Sequence, residues 1–304
     1  MSDIPRPFDR TRDLARVGRL AGRLRAAGGV WHPGGLQWWL RRTIEPQFEA
    51  HVVDDAGEIT GFVLIEDIYV IALAADPAAR IALIDWAAGH LRTQGAGEIE
   101  VSLVEGEGVL GPALAARGYA PSGTWGDELM LDIGTDPPAP RLPPGFSFGS
   151  LETVDDDAYV ELHRDAWSDT RPSRYRRALH DLVTSAPQFR RDLVTIAVAH
   201  DGTPAASCIG WLDRLTQTLE IEPLGTRPAY RRLGLGHAIV AEVVRRAWAN
   251  GMKHVLVWGT SENERAYRLY TSSGFTPRRH LIEVRKTLVA PSSADRDRDS
   301  ATPA

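Results

Sequence analysis

Two groups of residues in the last third of the chain have types and spacing suited to chemistry. The run Arg231, Arg232, Leu233, Gly234, Leu235, Gly236 and His237 sets two arginines and two glycines at the start of a long apolar stretch. Glycine lacks a Cβ, so the chain can turn tightly there and bring backbone N–H groups close to an anion. A helix starting at that point adds unpaired N–H donors and the positive end of its dipole. A pyrophosphate suits such a turn, although an ordinary helix N-terminus shares the pattern. The second group is Glu220 and Glu222, two carboxylates that share one face if the segment is a strand. Either can act as a general base. Either can equally be structural, anchor a substrate, or sit on a solvated sheet face.

The elements that must position these groups read, from the run 218–228 onward, as strand, glycine-rich turn, apolar helix, strand (254–258) and a second helix. That second helix carries Asn263, Ala266, Leu269 and Tyr270 and ends before Gly274-Phe275. Taken in this order, the stretch resembles the GNAT superfamily of acyl-CoA-dependent N-acyltransferases. The family's pyrophosphate loop, Arg/Gln-x-x-Gly-x-Gly/Ala, stands here as Arg231-x-x-Gly234-x-Gly236. The Asn, Ala, Leu-Tyr and Gly-Phe positions follow at the family's separation.

The resemblance implies acetyl-CoA as co-substrate and direct acyl transfer to a small-molecule amine. It implies that Leu224, Gly225 and Thr226 present backbone groups to the pantetheine arm, and that Arg231 through His237 surround the pyrophosphate. His237 fits helix surface as well as ligand, and Asn263 either contacts the cofactor or caps its helix. Tyr270, four residues before the glycine of Gly-Phe, takes the family's position for the acid that protonates the leaving thiolate. For the base, Glu222 is preferred, because Glu-Pro-Leu-Gly-Thr-x-Pro is similar to a run in a bacterial GNAT branch. Glu220 stays beside it, eleven positions before Arg231, as in some histone-acetylating members. Substrate choice in the family comes largely from the segment that here holds Asp155, Asp156, Asp157, His163, Asp165, Trp167 and Asp169. Its acidity would suit a cationic acceptor, while Asp155 to Asp157 fit helix capping better. The competing reading is a non-enzymatic acyl-CoA-binding or scaffold protein.

Composition excludes several other classes. The chain has 304 residues, 43% of them hydrophobic and 25% charged, with a formal net charge of −5. That charge offers nucleic acid no electrostatic attraction, and no apolar run approaches the ~20 residues of a membrane span. The first residues show no apolar signal-type segment. Cys208 is the single cysteine, so no internal disulfide or cysteine metal cluster can form, and no metal is expected. Its apolar surroundings mark it as a small core residue. A cytoplasmic monomer or homodimer is the resulting expectation.

The two halves echo each other. Gly118-Tyr119-Ala120-Pro121 precedes Gly274-Phe275-Thr276-Pro277 by 156 positions, and Ile99 and Val101 precede Val255 and Val257 by the same offset. Upstream the offset falls to 151, pairing Pro77 and Arg80 with Pro228 and Arg231. The first half thus lacks the glycine loop, and Leu114 and Glu107 stand for Tyr270 and Asn263. Helical spacing is read at 14–24, 81–91, 109–117, 154–167 and 173–183. Strands are read at 50–54, 59–65, 68–74, 99–103, 128–133, 146–151, 193–200, 204–212 and 282–289. The tryptophan-rich stretch around Trp31, Trp38 and Trp39 reads as core or interface.

The predicted fold is α/β (α+β): two tandem GNAT-like domains, each a mixed, mostly antiparallel sheet flanked by helices. The boundaries are a degenerate domain at 1–134, a proline-rich linker at 135–145, a catalytic domain at 146–290 and a disordered tail at 291–304. Residues 1–10 are expected to be poorly ordered. The tandem arrangement with one degenerate half resembles that of other two-domain GNAT proteins.

Overall fold

The first helix shows how local pattern becomes structure. In α1 (Arg10–Ala26), Leu14, Val17, Leu20 and Ala21 fall on one buried stripe, and Gly28 at φ +97° ends it. A two-residue strand, β1 (Arg6–Pro7), precedes it and pairs with His51 and Val52, so part of the N-terminal segment expected to be loose is in a sheet. Next comes α2 (Pro33–Leu40), with proline at its first position and His32 as its N-cap. The hairpin β2 (Phe48–Asp55) and β3 (Glu58–Glu66) leads to β4 (Tyr69–Ala74), α3 (Pro77–Thr93), β5 (Glu98–Val104), α4 (Leu110–Ala115) and β6 (Ala120–Asp132). The second half repeats much of this order. It runs β7 (Phe146–Gly149), α5 (Asp156–Ala166), α6 (Arg177–Thr184), β8 (Val194–Ala199), β9 (Pro204–Asp213), β10 (Thr218–Thr226), α7 (Leu235–Ala249), β11 (His254–Thr260), α8 (Glu264–Ser272) and β12 (Thr276–Thr287).

The computed structural model describes residues 4–134, 136–137, 139–169, 172–260 and 263–288. Val289, the tail at 291–304, and Thr135 and Pro138 of the linker lie outside the described residues. Among the described residues no helix is long and apolar enough to cross a membrane.

The chain divides into two compact units that cut across the sequence halves. One comprises the residues up to Asp9, Thr43–Trp125 and those from His280 on; the other comprises Arg10–Arg42 and Gly126–Arg279. The sheet of the first unit is ordered β1-β2-β3-β4-β5-β12, and that of the second β6-β11-β10-β9-β8-β7. In the first, β12 pairs antiparallel with β5 (Ile282 with Leu103, Val284 with Val101). In the second, β6 pairs antiparallel with β11 (Leu129 with Val257, Leu131 with Val255). Each half's last strand therefore completes the other half's sheet. Both strands are longer than predicted and start just after the Gly118 and Gly274 turns. Their first residues, Ala-Pro-Ser-Gly-Thr and Thr-Pro-Arg-Arg-His, lack the apolar alternation that marks a strand in sequence.

The second unit claims the N-terminal helices for identifiable reasons. Arg25 meets Glu128 of β6 at 2.7 Å, and Arg279 binds the same carboxylate at 2.6 Å. Glu128 is fully buried and answers both arginines, so removing its carboxylate would strand the buried charge of Arg25, at a cost of about 3–5 kcal/mol. The core of this unit packs Leu235, Ile239, Val240 and Val243 of α7 against Leu219, Ile221, Val255 and Val257 of β10 and β11. A separate core in the first unit gathers Ile84, Ala87 and Leu91 of α3, Val101 of β5 and Val284 of β12.

Candidate active site

A cavity in the second unit is built by two departures from regularity. Strand β10 runs parallel to β11 only from Thr218 to Glu220, opposite His254 to Leu256. Beyond that, a register shift between Ile221 and Leu224 turns β10 away, while it stays paired to β9 through Leu224, Gly225 and Thr226. The backbone edge on the β11 side of those three residues is thereby released. The second departure is the start of α7. Gly234 sits there at φ +83°, a left-handed conformation that suits glycine, and a Cβ on it would point into open space. The first intrahelical bond of α7 is donated by the Ala238 N–H to the Gly234 carbonyl at 3.2 Å. The amides of Leu235, Gly236 and His237 precede it and carry the helix's positive end.

These features meet around a cavity of about 700 Å³ lined by Leu224, Gly225, Thr226, Arg231, Arg232, Gly234, Leu235, Gly236, His237 and Asn263. Ten of the eleven residues read from sequence as cofactor-binding therefore share one space. Leu233 does not line it and is 48% exposed. The cavity also takes in Trp167, Asp169, Tyr230, Arg265 and Leu269, which were not read as cofactor residues. Arg265 could have been suspected as a cation two residues past Asn263. Trp167 covers Gly225 so closely that a Cβ there would overlap its ring.

Arg231 does more to hold the loop than to present charge. Its Nε donates to the Thr226 carbonyl at 3.0 Å, Nη1 to Asp169 at 2.6 Å and Nη2 to the Ala166 carbonyl at 3.0 Å. Arg232, exposed at φ +65°, makes no hydrogen bond or ion pair among the described residues. Asn263 both lines the cavity and caps α8, its Oδ1 accepting from the Ala266 N–H at 3.1 Å. His237 Nε2 lies 3.0 Å from the Ser272 hydroxyl and ties α7 to α8.

The two strand glutamates have different surroundings. Glu220 is 2% exposed and accepts the Gly35 N–H at 2.7 Å, with His32 Nδ1 at 3.1 Å. It thus satisfies the N-terminus of α2, whose Gly34 and Gly35 allow the close approach. A Cβ on Gly34 would overlap Trp211, and one on Gly35 would overlap Glu220 itself. Glu222 has no such partner among the described residues. Burial, then the like charge of Glu220, push its carboxyl up to about 8, against an opposing pull from Arg41. A carboxyl so placed gains and loses its proton near neutral pH. Tyr270 is 5% exposed, and burial followed by Cys208 and Glu222 raises its phenol, so it keeps its proton. Cys208 is fully buried, and its thiol is likewise raised by burial, as expected of a core residue.

The acidic segment is answered within the protein. Asp155 caps α5 through the Asp157 and Ala158 N–H groups, and Asp156 binds Arg191 at 2.8 Å and His180 at 3.1 Å. Asp157 pairs with Arg177, Asp165 with Arg227 and Asp169 with Arg231. An acidic surface waiting for a cationic acceptor is therefore absent among the described residues. An aromatic stack lies there instead: His163 between Trp167 (4.2 Å) and Tyr175 (3.8 Å), with Trp38 at 5.6 Å.

Among the described residues, the first unit has no comparable loop between its corresponding elements. β4 and α3 are joined by two residues, Ala75 and Asp76, where β10 and α7 are separated by eight. Asp76 caps α3 with its own carboxylate, accepting from the Ala79 N–H at 3.1 Å. The sequence offset pairs Arg80 with Arg231, but Arg80 lies inside α3 and bonds Glu107 at 3.2 Å.

A family model described as acetyltransferase (GNAT) family matches residues 157–275. The mycothiol acetyltransferase of Beutenbergia cavernae is 29% identical over 283 residues, covering 85% of this chain and 90% of its own. That of Jonesia denitrificans is 27% identical over 177 residues, covering 55% of this chain and 56% of its own. Among solved structures, a tandem GNAT protein from the clavulanic acid biosynthesis pathway covers 95% of this chain and 99% of its own at TM-score 0.63 and 17% identity. A GCN5-related N-acetyltransferase from Sphaerobacter thermophilus covers 95% and 96% at TM-score 0.58 and 21% identity. At these identities the structural likeness is one of fold. Residues 157–275 thus match the acetyltransferase (GNAT) family model, and the chain as a whole shares the fold of solved tandem GNAT proteins.

Proposed function

We propose that this protein transfers an acetyl group from acetyl-CoA to the amine of a small molecule, with the chemistry in the second unit. Supporting it above all is the convergence of a glycine-opened helix N-terminus and a released strand edge on one cavity, with Glu222 on that strand and Tyr270 on α8, whose cap Asn263 lines the same cavity. The amides of Leu235, Gly236 and His237 would hold the pyrophosphate, with Arg232 beside them. The free edge of Leu224 to Thr226 would hold the pantetheine amides.

Acetyl-CoA supplies an activated acyl thioester when bound. Glu222, held near neutrality, accepts a proton from the acceptor ammonium and so provides the neutral amine that attacks. Tyr270 keeps its proton until sulfur departs, donates it there, and is reprotonated by the second proton that the acylated nitrogen releases. Glu220 positions α2 and raises Glu222 through its charge. A base tuned to about 8 favours an enzyme over a scaffold, because storage of a ligand needs no such tuning. The cytoplasm suits a chain whose single cysteine is buried and reduced.

The relatives are named for mycothiol, so its des-acetyl form is the acceptor to try first, within a wider panel of small amines. Release of CoA thiol is the readout, alongside calorimetry. One acetyl-CoA per chain and amine-dependent CoA release are expected. Two equivalent sites per chain would refute the placement in the second unit alone. CoA binding without turnover on any amine would favour the scaffold reading.

A further inference from the structure

The first unit carries side chains that converge without any part in acetyl transfer. On β2, Glu49 and His51 are two residues apart and share a face. On α3, Trp86, His90 and Gln94 follow one another at four-residue spacing along one stripe, Gln94 being its C-cap. Glu49 Oε2 lies 2.7 Å from His90 Nε2 and 3.3 Å from His51 Nε2. One ligand atom from each of the three residues lies within 4.8 Å of the others.

The surrounding groups fix how these atoms point. Trp86 stacks on His90 with ring centroids 5.0 Å apart and meets His51 edge-on at 4.7 Å. Gln94 Nε2 donates to Glu49 Oε1 at 2.6 Å and stands 3.1 Å from His90 Nε2. Turning the amide over would set its oxygen against the carboxylate, so the nitrogen belongs where it is. The Gln94 contact needs a lone pair on His90 Nε2, whereas a hydrogen bond to Glu49 needs a proton on the same atom. One nitrogen cannot serve both. A cation between the three residues would replace the Glu49–His90 hydrogen bond by taking the lone pair of His90 Nε2, and Gln94 would keep its bond to Glu49 Oε1 alone.

We propose that Glu49, His51 and His90 bind a borderline divalent transition-metal ion of the zinc class, with a fourth position open to water. Two imidazoles and one carboxylate are a zinc donor set, and they disfavour the hard ions Mg²⁺ and Ca²⁺. A tetrahedral ion about 2.0–2.1 Å from each ligand spaces its donors roughly 3.3 Å apart, within the present range. The His51 side chain is 10% exposed, those of His90 and Glu49 25% and 35%, so the site is anchored on one side and open on the other. Bound there, the ion clips β2 to α3 in the unit that holds no phosphate cradle.

The test uses full-length protein without a histidine tag, stripped with a chelator and dialysed. Zn²⁺ is titrated against a chromogenic indicator, Mg²⁺ serves as the hard-ion control, and Co²⁺ reports ligand-field absorption in the visible. One Zn²⁺ per chain, no competing Mg²⁺, and a Co²⁺ spectrum of low-symmetry coordination are expected. Glu49→Gln and His90→Gln should each weaken Zn²⁺ by more than about tenfold and abolish the Co²⁺ bands. Far-UV circular dichroism and acetyl-CoA affinity, which reports the other unit, should stay at parental values. The proposal is overturned if the parent takes up no stoichiometric Zn²⁺. It is equally overturned if a folded Glu49→Gln binds Zn²⁺ as the parent does. If His90→Gln fails to fold, the Glu49→Gln comparison still decides.

Discussion

Glu220→Gln should move the pH dependence of acetyl transfer without undocking α2. The glutamine keeps an oxygen to accept the Gly35 N–H, while the negative charge that bears on Glu222 is removed. Residues two apart on a strand are separated by about 7 Å, and at an effective dielectric near 20 two unit charges there repel by roughly 2.4 kcal/mol. At 1.36 kcal/mol per pH unit this is roughly 1.7 units, and partial exposure of Glu222 to solvent trims it to about 1–1.5. A base works deprotonated, so parental activity falls as pH drops through about 8. In the variant the fall should come about 1–1.5 units lower, with burial still holding the carboxyl above its usual range. The assay is kcat/KM for the acceptor against pH at saturating acetyl-CoA, which reports groups of the enzyme and of the free amine before the two meet. The acceptor amine titrates too, but identically with both proteins, so a shift between the curves belongs to the protein. Superimposable profiles would mean that Glu222 is not the base, or that Glu220 carries no charge that it feels.

Tyr270→Phe keeps the ring packed on Phe275 and removes only the hydroxyl. CoA affinity should hold while turnover drops toward the low end of the ~10²–10⁴-fold typical of general acids, because a CoA thiol leaves in part unaided; a parental single-turnover rate would refute the acid role. Gly234→Asp puts a Cβ at a φ of +83° and sets a carboxylate in the proposed cradle. Acetyl-CoA should weaken by more than about tenfold, the ~1.4 kcal/mol of one like-charge contact, and unchanged binding by calorimetry would rule the cradle out. Gly35→Ala overlaps Glu220 and should cost about 1–3 kcal/mol, seen as a lower midpoint in urea, whereas an unchanged midpoint would show that α2 is not held there.

Features encoded over short distances could be read from the chain alone. The loop 231–237, the cap at Asn263, the helix stripes and the burial of Cys208 each depend on neighbours within about two turns of helix or one strand. The echo between the halves was legible because Gly118-Tyr119 and Gly274-Phe275 both close a helix and open a strand. The acidic run at Asp155 to Asp157 already looked like capping, and Asp155 does cap α5.

Pairings across the chain were decided only by tertiary packing. Around Glu220 and Glu222 the sequence offers only the resemblance of Glu-Pro-Leu-Gly-Thr-x-Pro to a family run; what separates them physically is Gly35, 185 residues away, whose missing Cβ lets α2 reach Glu220 and leaves Glu222 to be shifted by burial. Sequence halves suggested two successive domains, yet hydrogen bonding gave β12 to β5 and β6 to β11, since a strand pairs with whichever edge presents matching apolar residues. The convergence of Glu49, His51 and His90 left no motif either. Its spacing of two residues and then thirty-nine carries no local signature, and only the packing of α3 on the β2 face turns it into a constellation.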